Sequence, residues 1–395
     1  MALSHSPLIV TDGLVFMYDT GNRKSYKGEP TVNLTTDSPS QGGWGGGLSV
    51  LDSSTKKFRF NVSNFNGSPG QGWRSFTWDL NSYSGQSVTI SATVEVPSAS
   101  PGTFAWIMMG QGNTHTNTSG AGGYMGYSAA SERIQKTTTT TEHITWSGTV
   151  GSTGTASQPS GHVGFTVWYN DGTPSTNSYV EVSNVQIEIK SHATQFVNGT
   201  RSATAGLIDR TNNAIIDISD ASFDSDAQMT FDGTDDYAAI SDSTLFDFGT
   251  NDFSMDAIVK GTNTSNYRTV FYHFYNPGFV YITNITTGVM RVWINNTVLN
   301  GNTNILDGNY HHTALVRQGD TLSLYVDGEL DASSTGWSSK NATNTSKGAS
   351  IGRYIDGSTS YPWNGDILSL KAYNKALTSA EVLQNFNAIK SRFGL

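Results

Sequence analysis

Residues 87–96 read Ser87-Val88-Thr89-Ile90-Ser91-Ala92-Thr93-Val94-Glu95-Val96. Val88, Ile90, Ala92, Val94 and Val96 fall on one face and polar groups on the other, the period-two writing of a half-buried strand. The same alternation recurs at 104–108, 144–150, 162–169 and 179–189, with Gly, Ser and Pro clusters between. This part of the chain predicts an antiparallel sandwich of about 150 residues. A second series starts at Gln228 and runs through 253–259, 269–274, 279–283, 289–294, 311–317, 322–327 and 366–373. It predicts another sandwich, with hairpin turns at Gln318-Gly319-Asp320 and Asp327-Gly328. One segment reads as helix. Thr378-Ser379-Ala380-Glu381 has capping-box spacing, and Val382, Phe386, Ile389 and Phe393 follow a helical stripe that stops at Gly394. That helix should lie against a sheet as a closing brace.

Composition narrows the function classes. Without cysteine the chain is no disulfide-stapled module, thiol enzyme, zinc finger or iron–sulfur protein. Lys and Arg number 23 against 32 Asp and Glu, a formal net charge of −9, which disfavours a nucleic-acid partner. The 42 glycines and the aromatic 11% suit short strands joined by turns. Residues 1–18 lack a basic start and carry Asp12 in their apolar stretch, so they read neither as a signal peptide nor as a membrane anchor. No apolar run approaches the roughly 20 residues that span a bilayer.

The C-terminal half resembles the laminin-G-like, concanavalin-A-like jelly roll. The resemblance rests on Phe231-Asp232-Gly233-Thr234-Asp235-Asp236-Tyr237, Phe253-Ser254-Met255-Asp256, Tyr310-His311-His312-Thr313-Ala314-Leu315-Val316, Leu324-Tyr325-Val326-Asp327-Gly328, Ile351-Gly352-Arg353 with Gly365-Asp366-Ile367, and Tyr373-Asn374-Lys375-Ala376-Leu377-Thr378. The family pattern has Trp where Tyr310 stands and usually where Ile258 stands. Residues 6–34, from Ser6-Pro7-Leu8 to Val32-Asn33-Leu34, resemble the opening of many tailed-bacteriophage virion proteins, where it forms the first strand of the same jelly roll. Residues 185–202 resemble the exit from a carbohydrate-binding-module-like sandwich in such proteins, although the position of Gln195 is commonly Pro there. Together these imply an all-β chain with a discontinuous jelly roll: an N-terminal segment 1–32, an inserted sandwich 33–190, a linker 191–202 and the laminin-G-like domain 203–395. The alternative is three units in line. Insertion is physically easy, because loop-closure entropy grows only logarithmically with loop length, and it requires Leu14 to Tyr18 to pair within the C-terminal domain.

Several residue patterns suggest chemistry, and each has a competing structural account. A retaining glycosidase needs two carboxylates about 5–5.5 Å apart. The nearest pattern, Glu329-Leu330-Asp331-Ala332-Ser333-Ser334, lacks the second glutamate, while Glu181 and Glu188 read as solvated strand positions. Gly348-Ala349-Ser350-Ile351-Gly352 fits Gly-x-Ser-x-Gly, but the elbow needs a following helix and none follows. His311 and His312 are adjacent on a strand, point to opposite faces and cannot chelate one ion. The glycines of 42–47 lack the Lys-Ser/Thr of a phosphate loop and read as a flexible rim loop. Laminin-G-like domains sometimes hold calcium, for which Asp232, Asp235, Asp236, Asp242 and Asp366 are the available carboxylates; the competing account is turn-forming aspartates. For sugar, flat aromatics in loop-like or outward positions are needed, which selects Trp44, Trp73, Tyr124, Trp168 and Tyr361, each alone equally at home in a core.

The expected protein is therefore a non-enzymatic virion component of a tailed bacteriophage: a fibre, head decoration or tail accessory that adheres weakly to host-surface glycan. Its partners would be other capsid or tail proteins and further copies of itself, with no cofactor unless calcium. The alternatives are a polysaccharide-active hydrolase and a capsid cement that binds no sugar.

Overall fold

The alternation read at 87–96 becomes a central strand. Ser87–Val96 pairs antiparallel with Thr140–Thr149 on one side and Tyr179–Glu188 on the other, and Val88, Ile90, Ala92 and Val94 are buried in one core with Trp78, Phe165 and Ile187. The structure is a computed structural model that describes residues 8–44, 47–61, 72–96, 105–112, 133–136, 140–150, 161–169, 179–224, 228–241, 243–262, 266–273, 278–284, 286–344, 348–354 and 361–395. The chain divides into two compact units, one of Met1–Pro30, Ser202–Asp224 and Gln228–Leu395, the other of Thr31–Arg201.

The unit of 31–201 has two five-stranded antiparallel sheets. One runs Thr140–Thr149, Ser87–Val96, Tyr179–Glu188, Lys57–Asn61, Gly47–Asp52; the other Ser40–Trp44, Gly72–Asp79, His162–Tyr169, Ala105–Gly112, Arg133–Lys136. Two expectations fail in this unit. The glycine run does not begin as a loop, since Gly42 and Gly43 lie in the strand Ser40–Trp44, paired with Ser75 and Arg74. At a sheet edge such a strand draws its order from ladder hydrogen bonds rather than from side-chain packing. Glu181 and Glu188 are not solvated either. Glu181 is buried beneath Lys57 and Arg59, each 2.5 Å from its carboxylate, and Glu188 accepts from Thr31 Oγ1, Thr194 N and Thr194 Oγ1. The reason is that the polar face of this sheet is covered. Gln186 bonds the Thr194 carbonyl and receives Val197 N, so the chain after the last strand returns over its face and supplies donors to buried acceptors.

The other unit stacks an eight-stranded on a seven-stranded sheet. The first runs Ser222–Phe223, Met229–Asp232, Asn364–Tyr373, Phe253–Thr262, Asp307–Gln318, Thr321–Val326, Glu329–Thr335, with Leu14–Asp19 also pairing on Asn364–Tyr373. The second runs Ile216–Asp217, Ala238–Ile240, Ala349–Ile351, Thr269–His273, Phe279–Thr283, Val289–Ile294, Thr297–Asn304. Leu14 opposes Tyr373 and Tyr18 opposes Leu370, and Phe16 and Tyr18 are buried in the same core as Met255, Phe271 and Leu315. Both hairpin turns have the left-handed residues such turns require: Gly319 at φ 55°, and Asp327 and Gly328 at 51° and 84°.

The helix Ser379–Phe393 carries the full reciprocal capping box. Glu381 N donates to Thr378 Oγ1, Thr378 N donates to Glu381 Oε2, and Gly394 closes the helix in the left-handed region. Its buried stripe is Val382, Asn385 and Ile389. The apolar pattern did not mark Asn385, the polar residue at the centre. Among the described residues no helix is long and apolar enough to cross a membrane.

Candidate functional site

Strand register brings together three of the five aromatic candidates and adds a fourth. Trp44 opposes Trp73, Trp73 opposes Trp168, and Trp168 opposes Trp106. The four positions form one row across four neighbouring strands of the second five-stranded sheet. No bulge interrupts these ladders, so the four backbone positions stand side by side in one row. With strands about 4.8 Å apart, the row extends over roughly 14 Å. Gly42, Ser75, Thr166 and Met108 occupy the row two residues along. The side chains of Trp44, Trp73, Trp106 and Trp168 lie outside the described set, as does Tyr124 altogether. Trp106 lacked a loop context in the sequence, and only its register opposite Trp168 places it in the row.

Tyr361 belongs to the other unit. It packs edge-on against Tyr267 at 5.0 Å and Tyr354 at 5.5 Å; Tyr354 meets Tyr272 at 4.5 Å and Tyr267 meets Trp293 at 5.8 Å. Tyr272 and Trp293 rise from the seven-stranded sheet, joined across Val280 in one register row. Tyr272 is buried as the floor, while Tyr267, Trp293 and Tyr361 are half-exposed. Arg291 stacks over both Trp293 and Tyr267. Sequence reasoning took Tyr361 from this cluster and missed the rest. The signal was present in Val289-Met290-Arg291-Val292-Trp293-Ile294, where Arg291 and Trp293 alternate against buried Met290, Val292 and Ile294.

Of the carboxylates considered for calcium, Asp232, Asp235 and Asp236 converge, with one ligand atom from each within 4.8 Å of the others. Their oxygens already have work: Asp236 accepts from Ser222 Oγ and Asp232 N, and Asp232 from Thr234 N. Burial raises the Asp236 carboxyl above its usual range. Asp366 stands apart and accepts the Tyr310 hydroxyl at 2.9 Å, which with burial pushes that phenol up to about 12. Asp242 lies outside the described residues.

The remaining motifs have structural occupations. Asp331 receives Asn302 N, Thr303 N and Thr303 Oγ1, clamping one edge strand to the next sheet's edge. Ser350 sits within a strand and donates to Arg353 O. His311 Nδ1 lies 2.9 Å from Asp327 and its Nε2 3.2 Å from Asp307, whereas His312 is buried on the opposite face against Phe386.

A family model described as the concanavalin A-like lectin/glucanases superfamily matches residues 232–383, and this stretch has that jelly-roll fold. None of the curated proteins compared with the chain matches it. Similar solved structures include botulinum neurotoxin type C, described as depending on two ganglioside molecules to enter cells, at 15% identity and TM-score 0.37, covering 48% of this chain and 50% of that one. The chain thus spans about half the length of that neurotoxin structure. The CBM40 of the Ruminococcus gnavus IT-sialidase is similar at 16% identity and TM-score 0.31, covering 34% of this chain and 83% of that one. A Trypanosoma rangeli sialidase in complex with the inhibitor DANA is similar at 15% identity and TM-score 0.33, covering 45% and 30% respectively.

Proposed function

We propose that the protein is a non-enzymatic glycan-binding component of a tailed-bacteriophage particle, and that an extended glycan lies along the tryptophan row of the 31–201 unit. The observation that carries the glycan reading is the register itself, which aligns Trp44, Trp73, Trp168 and Trp106, four of the nine tryptophans, in one row across four strands. Indole faces are the surface on which pyranose rings stack. The particle assignment rests on the resemblance of residues 6–34 and 185–202 to virion proteins. Self-association would display the row in many copies, and linked copies raise a weak single-site affinity through effective concentration.

Affinity electrophoresis of the full chain through gels containing soluble neutral polysaccharides tests the row. Retardation by at least one polysaccharide is expected, weakened roughly tenfold in Trp73→Ala and Trp168→Ala at unchanged fold. If these variants only lower the melting temperature, the row is a cross-strand stacking device and the reading falls. Release of reducing ends from a bound polysaccharide would replace adhesion by hydrolysis. Immunolabelled phage particles test the location: capsid labelling without any retained sugar would favour the cement, and unlabelled particles would remove the virion assignment.

A further inference from the structure

The aromatic cluster on the outward face of the seven-stranded sheet differs from the tryptophan row in one respect: it is cationic. The Arg291 guanidinium lies 5.1 Å from the Trp293 ring centre and 5.6 Å from that of Tyr267. Its Nη1 donates to Asn300 Oδ1 at 3.1 Å, and its Nε is buried without a hydrogen-bond partner. Arg268, which follows Tyr267 and is 7% exposed, donates Nη1 to the carbonyl of Pro362, the residue after Tyr361, and its Nε is likewise unpartnered. Among the described residues no carboxylate forms an ion pair with either arginine. In a chain of net charge −9, one guanidinium without a carboxylate is stacked on Trp293 and Tyr267 and a second belongs to the residue after Tyr267.

Desolvating a cation without a counter-charge is unfavourable, and a ring-stacked guanidinium keeps its N–H edge available to an oxyanion. With Nε buried and Nη1 engaged by Asn300, Nη2 is the group left to donate a charge-assisted hydrogen bond to a carboxylate. The rings need something more: Tyr267, Trp293 and Tyr361 offer flat faces to C–H patches, and the tyrosines add hydroxyls for polar groups. A ligand that satisfies both demands has an oxyanion attached to a pyranose. We propose that this surface binds a carboxylated sugar, with Arg291 holding the carboxylate and the Tyr267, Trp293 and Tyr361 rings holding the sugar. The site shares no residue with the tryptophan row, so either can fail without the other.

Titration calorimetry on the full chain tests it with matched probes: sialyllactose against lactose, trigalacturonate against galactotriose, and sulfated lactose. At least one carboxylated sugar should bind about tenfold or more tightly than its neutral partner, and added salt should erode that preference. Whichever of the sialic and uronic acids is preferred identifies the source of the carboxylate. Arg291→Gln should abolish the preference, and Arg291→Lys, which keeps charge and stem but loses the fork, should reduce it. If the Gln variant does not fold, the Lys variant decides. Trp168→Ala should leave this preference untouched, which separates the site from the tryptophan row. Equal binding of charged and neutral partners, or an undiminished preference in folded Arg291→Lys and Arg291→Gln, overturns the inference. Sulfated lactose binding as tightly as the carboxylated sugars overturns its carboxylate assignment.

Discussion

Asp19 accepts both Nη atoms of Arg392 at 2.7 Å each, across 373 residues of chain. The carboxylate is buried and belongs to the strand Leu14–Asp19; the arginine sits in the last turn of the C-terminal helix. This fork ties the two ends of the unit together, and a Cβ at Gly21 would run into Arg392 Nη2. Arg392→Ala is expected to cost about 1–3 kcal/mol, as for hydrogen bonds to a charged group, and Gly21→Ala to disturb the same pair. Hydrogen–deuterium exchange should then lose protection in 14–19 and 379–393 together. Loss in the helix alone would mean that the fork does not couple the ends.

Asn385 should be the most costly polar position of the helix. Its Oδ1 accepts Val10 N at 2.8 Å, and its Nδ2 faces Asp256 Oδ2 at 2.7 Å and the Tyr373 hydroxyl at 2.9 Å. Asp256 is itself ion-paired with buried Lys371 at 2.6 Å. Truncation leaves several buried groups short of partners, so Asn385→Ala should destabilise by about 2–4 kcal/mol, more than Val382→Ala on the same buried stripe. Urea unfolding of both variants checks the order; equal costs would show that the network contributes little.

Acid should weaken this unit from about pH 6.5 downward through two buried histidines. Burial pulls the pKa of His312 down to about 4 despite Asp256 nearby, and that of His273 to about 4 despite Asp247. The unfolded chain takes up these protons near pH 6.5, the folded chain not until about pH 4. Stability is therefore full above about pH 6.5 and falls between there and pH 4, by on the order of 3 kcal/mol per histidine. Urea midpoints at pH 7, 5.5 and 4.5 should decline, and His312→Leu should decline less. A flat profile would contradict the assignment of both as buried neutral histidines.

Asp232 and Asp236 have oxygens committed to Ser222 and to the backbone of their own turn, which is the turn-forming account of these acids. Calcium and chelator should accordingly leave the melting temperature unchanged. A calcium-dependent rise that disappears in Asp235→Asn would assign the trio to a metal.

Some of this was legible from local sequence. The period-two runs at 87–96, 279–283 and 289–294 and the Thr378–Glu381 capping box depend on neighbours two to four residues apart, and each formed where its pattern lay. The polar edge strands Thr297–Asn304 and Glu329–Thr335 carried too little apolar alternation to be read. Glu188 looked solvated because its covering residue, Thr194, lies beyond the end of its strand.

By itself the sequence determined the class of fold and, for the strands with apolar alternation, which face enters a core, because side-chain alternation is a property of one strand. Tertiary structure alone decided at what level each residue stands beside its neighbours, because register couples strands that are distant in the chain. Trp44 and Trp168 share a row, Arg291 comes to rest over Tyr267, and Asn385 meets Val10 through that long-range pairing. Both candidate binding surfaces are products of register, and neither is written in any single segment.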